Sequence, residues 1–353
     1  MSTAAPPPPT LGWNMLAEIL EQPGRVSAAF ETVQEQAPSL AAVVRTAQQV
    51  LLFGRGSARS AATYAAEAFR TFTSIPAYSV SPAHFAWSGG ARDLRGTVAV
   101  AVSQSGESTE ILAAARRVQE RGGQLIVVTN SPDSSLARLV SRERTVMFQA
   151  GPEIAVPATK SFTTSLACLL AIATADDPAT LREAATAIPD LMAQVLADPT
   201  ARFDVSLALN LVCAGEGFAE SVGEEGAIKF RETLRLPVAS FETSEFLHGS
   251  INSVDVSTAV VVVSADGLGS HLSDQAVIGV GQRGARTVSV GAATSSDADQ
   301  HVRLPAVPPH WMPFLAVLPF QLAAHHAAVL RGQDPDTPEG LTKVTRIQEL
   351  TSP

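Results

Sequence analysis

Short apolar runs recur along the chain, each closed by a turn of small polar residues and followed by a stretch whose apolar positions repeat at helical spacing. Residues 50–53 end at Gly54-Arg55-Gly56-Ser57, and residues 58–72 then read as an alanine-rich helix. Residues 97–102 are a β-branched run that gives way to Ser103-Gln104-Ser105-Gly106-Glu107-Ser108 and a helix through Gln119. Residues 125–129 and 145–148 supply a third and a fourth strand. Strands that are apolar on both faces and alternate with helices predict a parallel sheet covered on both sides.

The second half replays this rhythm. Residues 207–214 form a strand, Gly215-Glu216-Gly217 stands where Gly54-Arg55-Gly56 stood, and a helix begins at Phe218. Residues 258–263 followed by Ser264-Ala265-Asp266-Gly267 parallel the run at 97–102 and its serine turn, and residues 286–290 add a strand. The fold class is therefore α/β, with two tandem doubly wound parallel-sheet domains of flavodoxin-like type and helices on both faces. Residues 38–176 are the first domain and 200–335 the second, joined by a helical linker at 177–199. Residues 13–37 are a helical segment broken at Pro23-Gly24, and a helix over 39–49 leads into the first strand. The prolines Pro6 to Pro9 make residues 1–12 a disordered tail, and residues 336–353 form a C-terminal tail.

Composition narrows the function classes. With 353 residues and 46% hydrophobic positions the chain has material for two packed cores. A net charge of −9 argues against a nucleic-acid partner, which calls for a basic surface. The two cysteines, Cys168 and Cys213, sit in apolar runs, which suits buried inert thiols in a reducing cytoplasm. Apolar stretches are read as broken by glycine, serine or charge before they could span a bilayer, and no basic region precedes a hydrophobic block. A cytoplasmic protein without a membrane partner is expected.

The chemistry is expected where strands give way to helices. Ser103, Gln104, Ser105 and Ser108 set three hydroxyls and an amide around Gly106, at the positive end of a helix. Such a cup suits a phosphate monoester, and Ser57 can reach the same crevice. No GxxxxGK[ST] sequence occurs and the first glycine turn lacks the third glycine of a dinucleotide fingerprint, so no cofactor is expected. The seven histidines show no ligand spacing, and no metal is expected. Glu225, Lys229 and Glu232 follow one another by four and three residues and share a helix face after the second glycine turn. His248 precedes a glycine in Glu245-Phe246-Leu247-His248-Gly249-Ser250, and Lys343 lies in Gly340-Leu341-Thr342-Lys343-Val344-Thr345-Arg346.

Together with Glu18-Ile19-Leu20-Glu21-Gln22-Pro23, Thr129-Asn130 and Glu153-Ile154-Ala155-Val156-Pro157-Ala158-Thr159-Lys160-Ser161-Phe162-Thr163-Thr164, these segments resemble the sugar isomerase (SIS) domains. The arrangement is similar to the tandem isomerase half of glucosamine-6-phosphate synthase and its stand-alone relatives. The resemblance implies that Ser57, Ser103, Gln104, Ser105 and Ser108 bind a sugar phosphate. It implies Glu232 as the carboxylate that moves a proton between C1 and C2, with a pKa raised by desolvation, and His248 as the ring-opening residue. Glu225 and Lys229 become supports of the site, and Lys343 the lysine that meets the open-chain carbonyl. A homodimer with shared active sites follows, because the histidine of the synthase-like relatives enters from a neighbouring subunit.

The departures bear on the reaction. The chain starts Met1-Ser2-Thr3 without a glutamine-hydrolysing domain, so ammonia production from glutamine is not expected. Ser250 stands where the family usually has proline. The closing segment looks most like the deaminase branch, which implies conversion of an aldosamine 6-phosphate to a ketose 6-phosphate and ammonia. Deglycation of a fructosamine-type phosphate adduct, simple aldose-ketose isomerisation, and non-catalytic sugar-phosphate sensing are the alternatives.

Overall fold

The alternating pattern builds two five-stranded sheets in a computed structural model that describes residues 10–87, 93–264 and 268–343. Residues 1–9 of the expected tail at 1–12, the turn residues 265–267 and the closing Val344-Thr345-Arg346 lie outside the described residues. The first sheet comprises β1 (Gln49–Phe53), β2 (Ala77–Val80), β3 (Thr97–Ser103), β4 (Gln124–Thr129) and β5 (Thr145–Met147), in the order β2-β1-β3-β4-β5. The second comprises β6 (Asn210–Gly215), β7 (Val238–Glu242), β8 (Thr258–Val263), β9 (Arg286–Gly291) and β10 (Gln300–Arg303), in the order β10-β9-β8-β6-β7. All strand pairings are parallel. Taken from its other edge, the second order is the first repeated, so the two halves share one topology.

The helices are α1 (Trp13–Leu20), α2 (Gln22–Val44), α3 (Ser57–Phe72), α4 (Pro82–Trp87), α5 (Thr109–Glu120) and α6 (Lys160–Ala173), followed by α7 (Pro178–Ala197), α8 (Phe218–Leu234), α9 (Thr243–Leu247), α10 (Leu268–Gly281) and α11 (Met312–Leu330). Strands β3 and β8 are buried at every position, which is why their sequences are continuous apolar runs. Helix α3 of the first half packs against α8 of the second, and α11 packs on α8. Both helices that follow the glycine turns therefore meet between the sheets.

Those turns are built alike. Gly56 and Gly217 hold φ of 56° and 58°, a region that side chains disfavour. A Cβ on Gly54 would come within 2.1 Å of the Ala58 carbonyl oxygen, and one on Gly215 within 2.3 Å of that of Ala219. Each strand thus folds directly into its helix, with the helix N-terminus at the carboxyl edge of the sheet. In the order β2-β1-β3, the crevice between β1 and β3 is the topological switch point where ligands of open α/β sheets collect.

Three local expectations are corrected. The N-terminal helices break at Glu21, not at Pro23-Gly24, because a proline in the first turn of α2 gives up only an N–H that has no helical partner. The separate helix expected over 39–49 does not exist: α2 continues through Pro38 to Val44, and β1 starts at Gln49. Finally, α11 carries no Asp, Glu, Lys or Arg over its 19 residues and is long and apolar enough to cross a membrane. Its apolarity has a different cause here, since 78% of its most apolar window is buried within the fold. Strands β2, β7 and β10, absent from the sequence reading, are partly exposed edge or near-edge strands whose burial patterns lack the continuous apolar signal. Both cysteines are free and buried, and burial pushes each thiol up to about 12.

Candidate active site

A cavity of about 260 Å³ opens at the switch point of the first sheet. Its floor is the end of β3 and the turn that follows, with Ser103, Gln104, Ser105 and Ser108 all on the wall and Ser57 beside them. The turn is internally braced: Ser103 Oγ accepts the N–H of Gly106 at 3.1 Å and Ser105 Oγ accepts that of Glu107 at 3.3 Å. Ser108 occupies the N-cap of α5, and its side chain makes no capping bond, which leaves the hydroxyl available at the positive helix end. The nearby cation is already committed. Arg55 donates to both carboxylate oxygens of Glu110 at 2.5 and 2.7 Å, so the anion cup is built from hydroxyls and main-chain dipoles.

The opposite wall comes from the second half of the chain and from its end. Glu232 lines the cavity with 27% of its side chain exposed, and Lys343 lines it together with Leu341 and Thr342. Glu225, Lys229 and Glu232 do share one face of α8: Lys229 Nζ lies 3.4 Å from Glu225 and 2.7 Å from Glu232. Glu225 and Lys229 are completely buried behind the wall, and only Glu232 reaches it. Ser57 donates to Glu225 Oε1 at 3.0 Å, which ties the N-terminus of α3 to the middle of α8. The two halves of the chain therefore meet in one polar chain behind a single cavity.

Burial decides the charge states of this chain. It pushes the Glu225 carboxyl up to about 7, against the Lys229 ammonium and with the help of Glu232, and Glu225 Oε2 has no hydrogen-bond partner. Burial alone would lower Lys229, yet the Glu232 and Glu225 carboxylates hold it above its ordinary value. The carboxyl raised toward neutrality is thus Glu225, about two helical turns along α8 from the cavity-lining Glu232.

His248 ends α9 as an exposed residue and is not among those lining the cavity. One chain does not bring it to Glu232. Conversely, Glu153 is on the cavity wall, fully buried and 2.7 Å from Lys343 Nζ, although the sequence reading gave it no role. The signal was its place in the segment 153–164, where a lone acid precedes a run of hydroxyl residues.

Three buried carboxyls give stability a component that falls as pH rises, opposed in the lower part of the range by His310, which burial pushes down to about 4. Burial pushes Glu18, Glu220 and Glu225 each up to about 7. The folded chain then binds more protons than the unfolded chain between the ordinary carboxylate range and pH 7, so this contribution is full below that range and is lost as pH rises through 7. Thermal unfolding should show a melting temperature that falls from pH 5 to pH 8, and Glu225→Gln should flatten the fall. For Glu225 the effect is about 3 kcal/mol, at ~1.4 kcal/mol per pH unit. A melting temperature that climbs steadily over that interval contradicts this assignment.

The comparisons place the chain by family and fold. The SIS domain family model matches residues 44–175 and 208–331. The chain is 31% identical over 354 residues to a glutamine–fructose-6-phosphate aminotransferase (isomerizing) of Pyrobaculum aerophilum, covering 95% of this chain and 57% of that relative's length. It thus spans little more than half of that protein. In structure it is similar to the C-terminal domain of glucosamine-fructose-6-phosphate aminotransferase from Francisella tularensis, with a TM-score of 0.83, 22% identity, and coverage of 92% of this chain and 98% of that one. It is also similar to a glucosamine-6-phosphate deaminase from Thermotoga maritima, with a TM-score of 0.76, 22% identity, and coverage of 94% and 98%. At those identities the two structures speak for the fold alone. With two matched segments that span most of its length, and two sheets of one topology, the chain belongs to the SIS domain family.

Proposed function

We propose that the protein is an amino-sugar phosphate deaminase-isomerase, converting an aldosamine 6-phosphate and water to a ketose 6-phosphate and ammonia, with glucosamine 6-phosphate as the first substrate to try. The observation that carries this reading is a single cavity lined both by the serine cup of the first half and by Glu232 and Lys343. The cup would hold the phosphate, so that binding energy gained far from the reacting carbons orients C1 and C2. After ring opening, Glu232 takes the proton from C2 and returns it to C1. The resulting C2 ketimine adds water and loses ammonia, which leaves the ketose. Lys343 presents an ammonium to the open-chain carbonyl. Lys229, held protonated, keeps Glu232 in place on its cavity side. His248 would act from a second copy of the chain, because it is exposed and away from its own cavity.

Incubation with glucosamine 6-phosphate should release ammonia and fructose 6-phosphate in equal amounts. Interconversion of nitrogen-free aldose and ketose 6-phosphates, with no ammonia from the amino sugar, would make the protein an isomerase only. Release of a free amino acid from a fructosamine-type adduct would make it a deglycase. A raised melting temperature with sugar phosphate and no product from any of these substrates would make it a sensor and end the enzymatic reading.

A further inference from the structure

The chain has three lysines, Lys160, Lys229 and Lys343, and each is ion-paired with a glutamate. Lys343 differs from the others in lining the cavity and in being a quarter exposed. Its Nζ donates to Glu153 Oε2 at 2.7 Å and to the Ala155 carbonyl at 2.6 Å. Glu153 is held in turn by the start of α6. Its Oε1 accepts the N–H groups of Thr159 and Ser161, both at 3.0 Å, and its Oε2 accepts the Ser161 hydroxyl at 2.7 Å. Thr159 is the N-cap of α6, yet its own hydroxyl is buried without a partner. Glu153 has therefore taken over the capping of that helix with one oxygen, while the other, which accepts the Ser161 hydroxyl, also meets a cation. Although burial alone would raise the Glu153 carboxyl, the Lys343 ammonium and the N–H groups of Ser161 and Thr159 hold it below its ordinary value. It is an anion fixed on a helix end.

We propose that Glu153 is a positioning residue whose Oε2 latches residues 341–343 against the cavity and sets Lys343 Nζ as an ammonium at a defined point of its wall. The segment 341–343 contributes three residues to that wall, so releasing Lys343 opens the cavity as well as misplacing the cation. Imine formation by Lys343 would require it to leave both acceptors and lose a proton. The latch favours polarisation of the carbonyl by a held cation as the starting state. What the latch does in turnover rests on the reading of this cavity as catalytic; its existence does not.

With three ε-amines in the chain, acylation of each can be followed by mass spectrometry in the substrate-free protein. Lys343 in the wild type should react at least ~10-fold more slowly than a lysine in an unstructured peptide, as expected for an ammonium in two charge-assisted bonds. Glu153→Gln keeps an oxygen for the Thr159 and Ser161 N–H groups but turns an NH₂ donor toward the ammonium. Lys343 should then react ~10-fold faster than in the wild type, while Lys160 and Lys229 stay protected. Equal Lys343 rates in the two proteins, with the other lysines protected, overturn the latch. So does a wild-type Lys343 that reacts at the peptide rate, a result that stands even if the variant unfolds and exposes all three amines. Where turnover is measurable, Glu153→Gln should lower kcat ~10- to 100-fold with KM little changed, because the serine cup is untouched. A raised KM at unchanged kcat would reduce Glu153 to a structural cap. A chain that labels as expected and turns over nothing would retain the latch and refute the proposed reaction.

Discussion

Glu232→Gln is expected to lower kcat by ~10² to 10⁴ while the fold and the affinity for sugar phosphate stay nearly unchanged. Of the three charged residues on the polar face of α8, only Glu232 reaches the cavity. The amide is the same size and can still accept from Lys229 Nζ, now 2.7 Å from a carboxylate oxygen, but it cannot take a proton from carbon. The serine cup belongs to the other half of the chain, so binding monitored by thermal shift should survive. Mixing this variant with His248→Ala should restore part of the activity if each cavity takes its histidine from a second copy. Full turnover by Glu232→Gln would remove the residue from the base role and the proposed mechanism with it.

Lys229→Met should be the most destabilising single change in the site, by about 3 to 5 kcal/mol at pH 8, because it leaves the fully buried Glu225 carboxyl without its cation. Lys229 has no exposed surface, and its ammonium is the shared partner of Glu225 and Glu232. For domains of this size the loss corresponds to a melting temperature ~10 °C lower. The sign with pH is opposite to that of ordinary acid unfolding. Glu225 is raised to about 7, so moving from pH 8 to pH 5 protonates it and the deficit of the variant should shrink. Adding Glu225→Gln to Lys229→Met should recover part of the loss at pH 8 for the same reason. A variant as stable as the wild type at pH 8 would mean that the carboxyls are already protonated there, and the charge assignment of α8 would fail.

Much of the architecture was legible because the central strands are buried on both faces. A run such as residues 97–102 or 258–263 has to be apolar throughout, and the glycine turn after β1 or β6 has to be glycine because the backbone folds straight into a helix. Edge strands carry no such requirement. Ser79 and Tyr78 of β2, and Gln300 and His301 of β10, face outward and leave no apolar pattern to read. In the site, spacing alone put Glu225, Lys229 and Glu232 on one face. It could not say which of them reaches the cavity, since that depends on how α8 rolls against α3 and α11. Glu153 escaped notice for a related reason: the run of hydroxyl residues after it hints at its partner Ser161, but its pairing with Lys343, at the far end of the chain, and with main-chain N–H groups leaves no pattern in the sequence. His248 caps a short helix away from the cavity of its own chain, and the motif around it carries no sign of that placement.

The doubled glycine turn differs in one side chain that changes its electrostatic sign. Where the first turn has Arg55, neutralised by Glu110, the second has Glu216, whose carboxylate accepts the N–H of Ser244 and helps raise its neighbour Glu242. An anion at the second turn would therefore meet a carboxylate, whereas at the first it would meet a guanidinium already paired with Glu110.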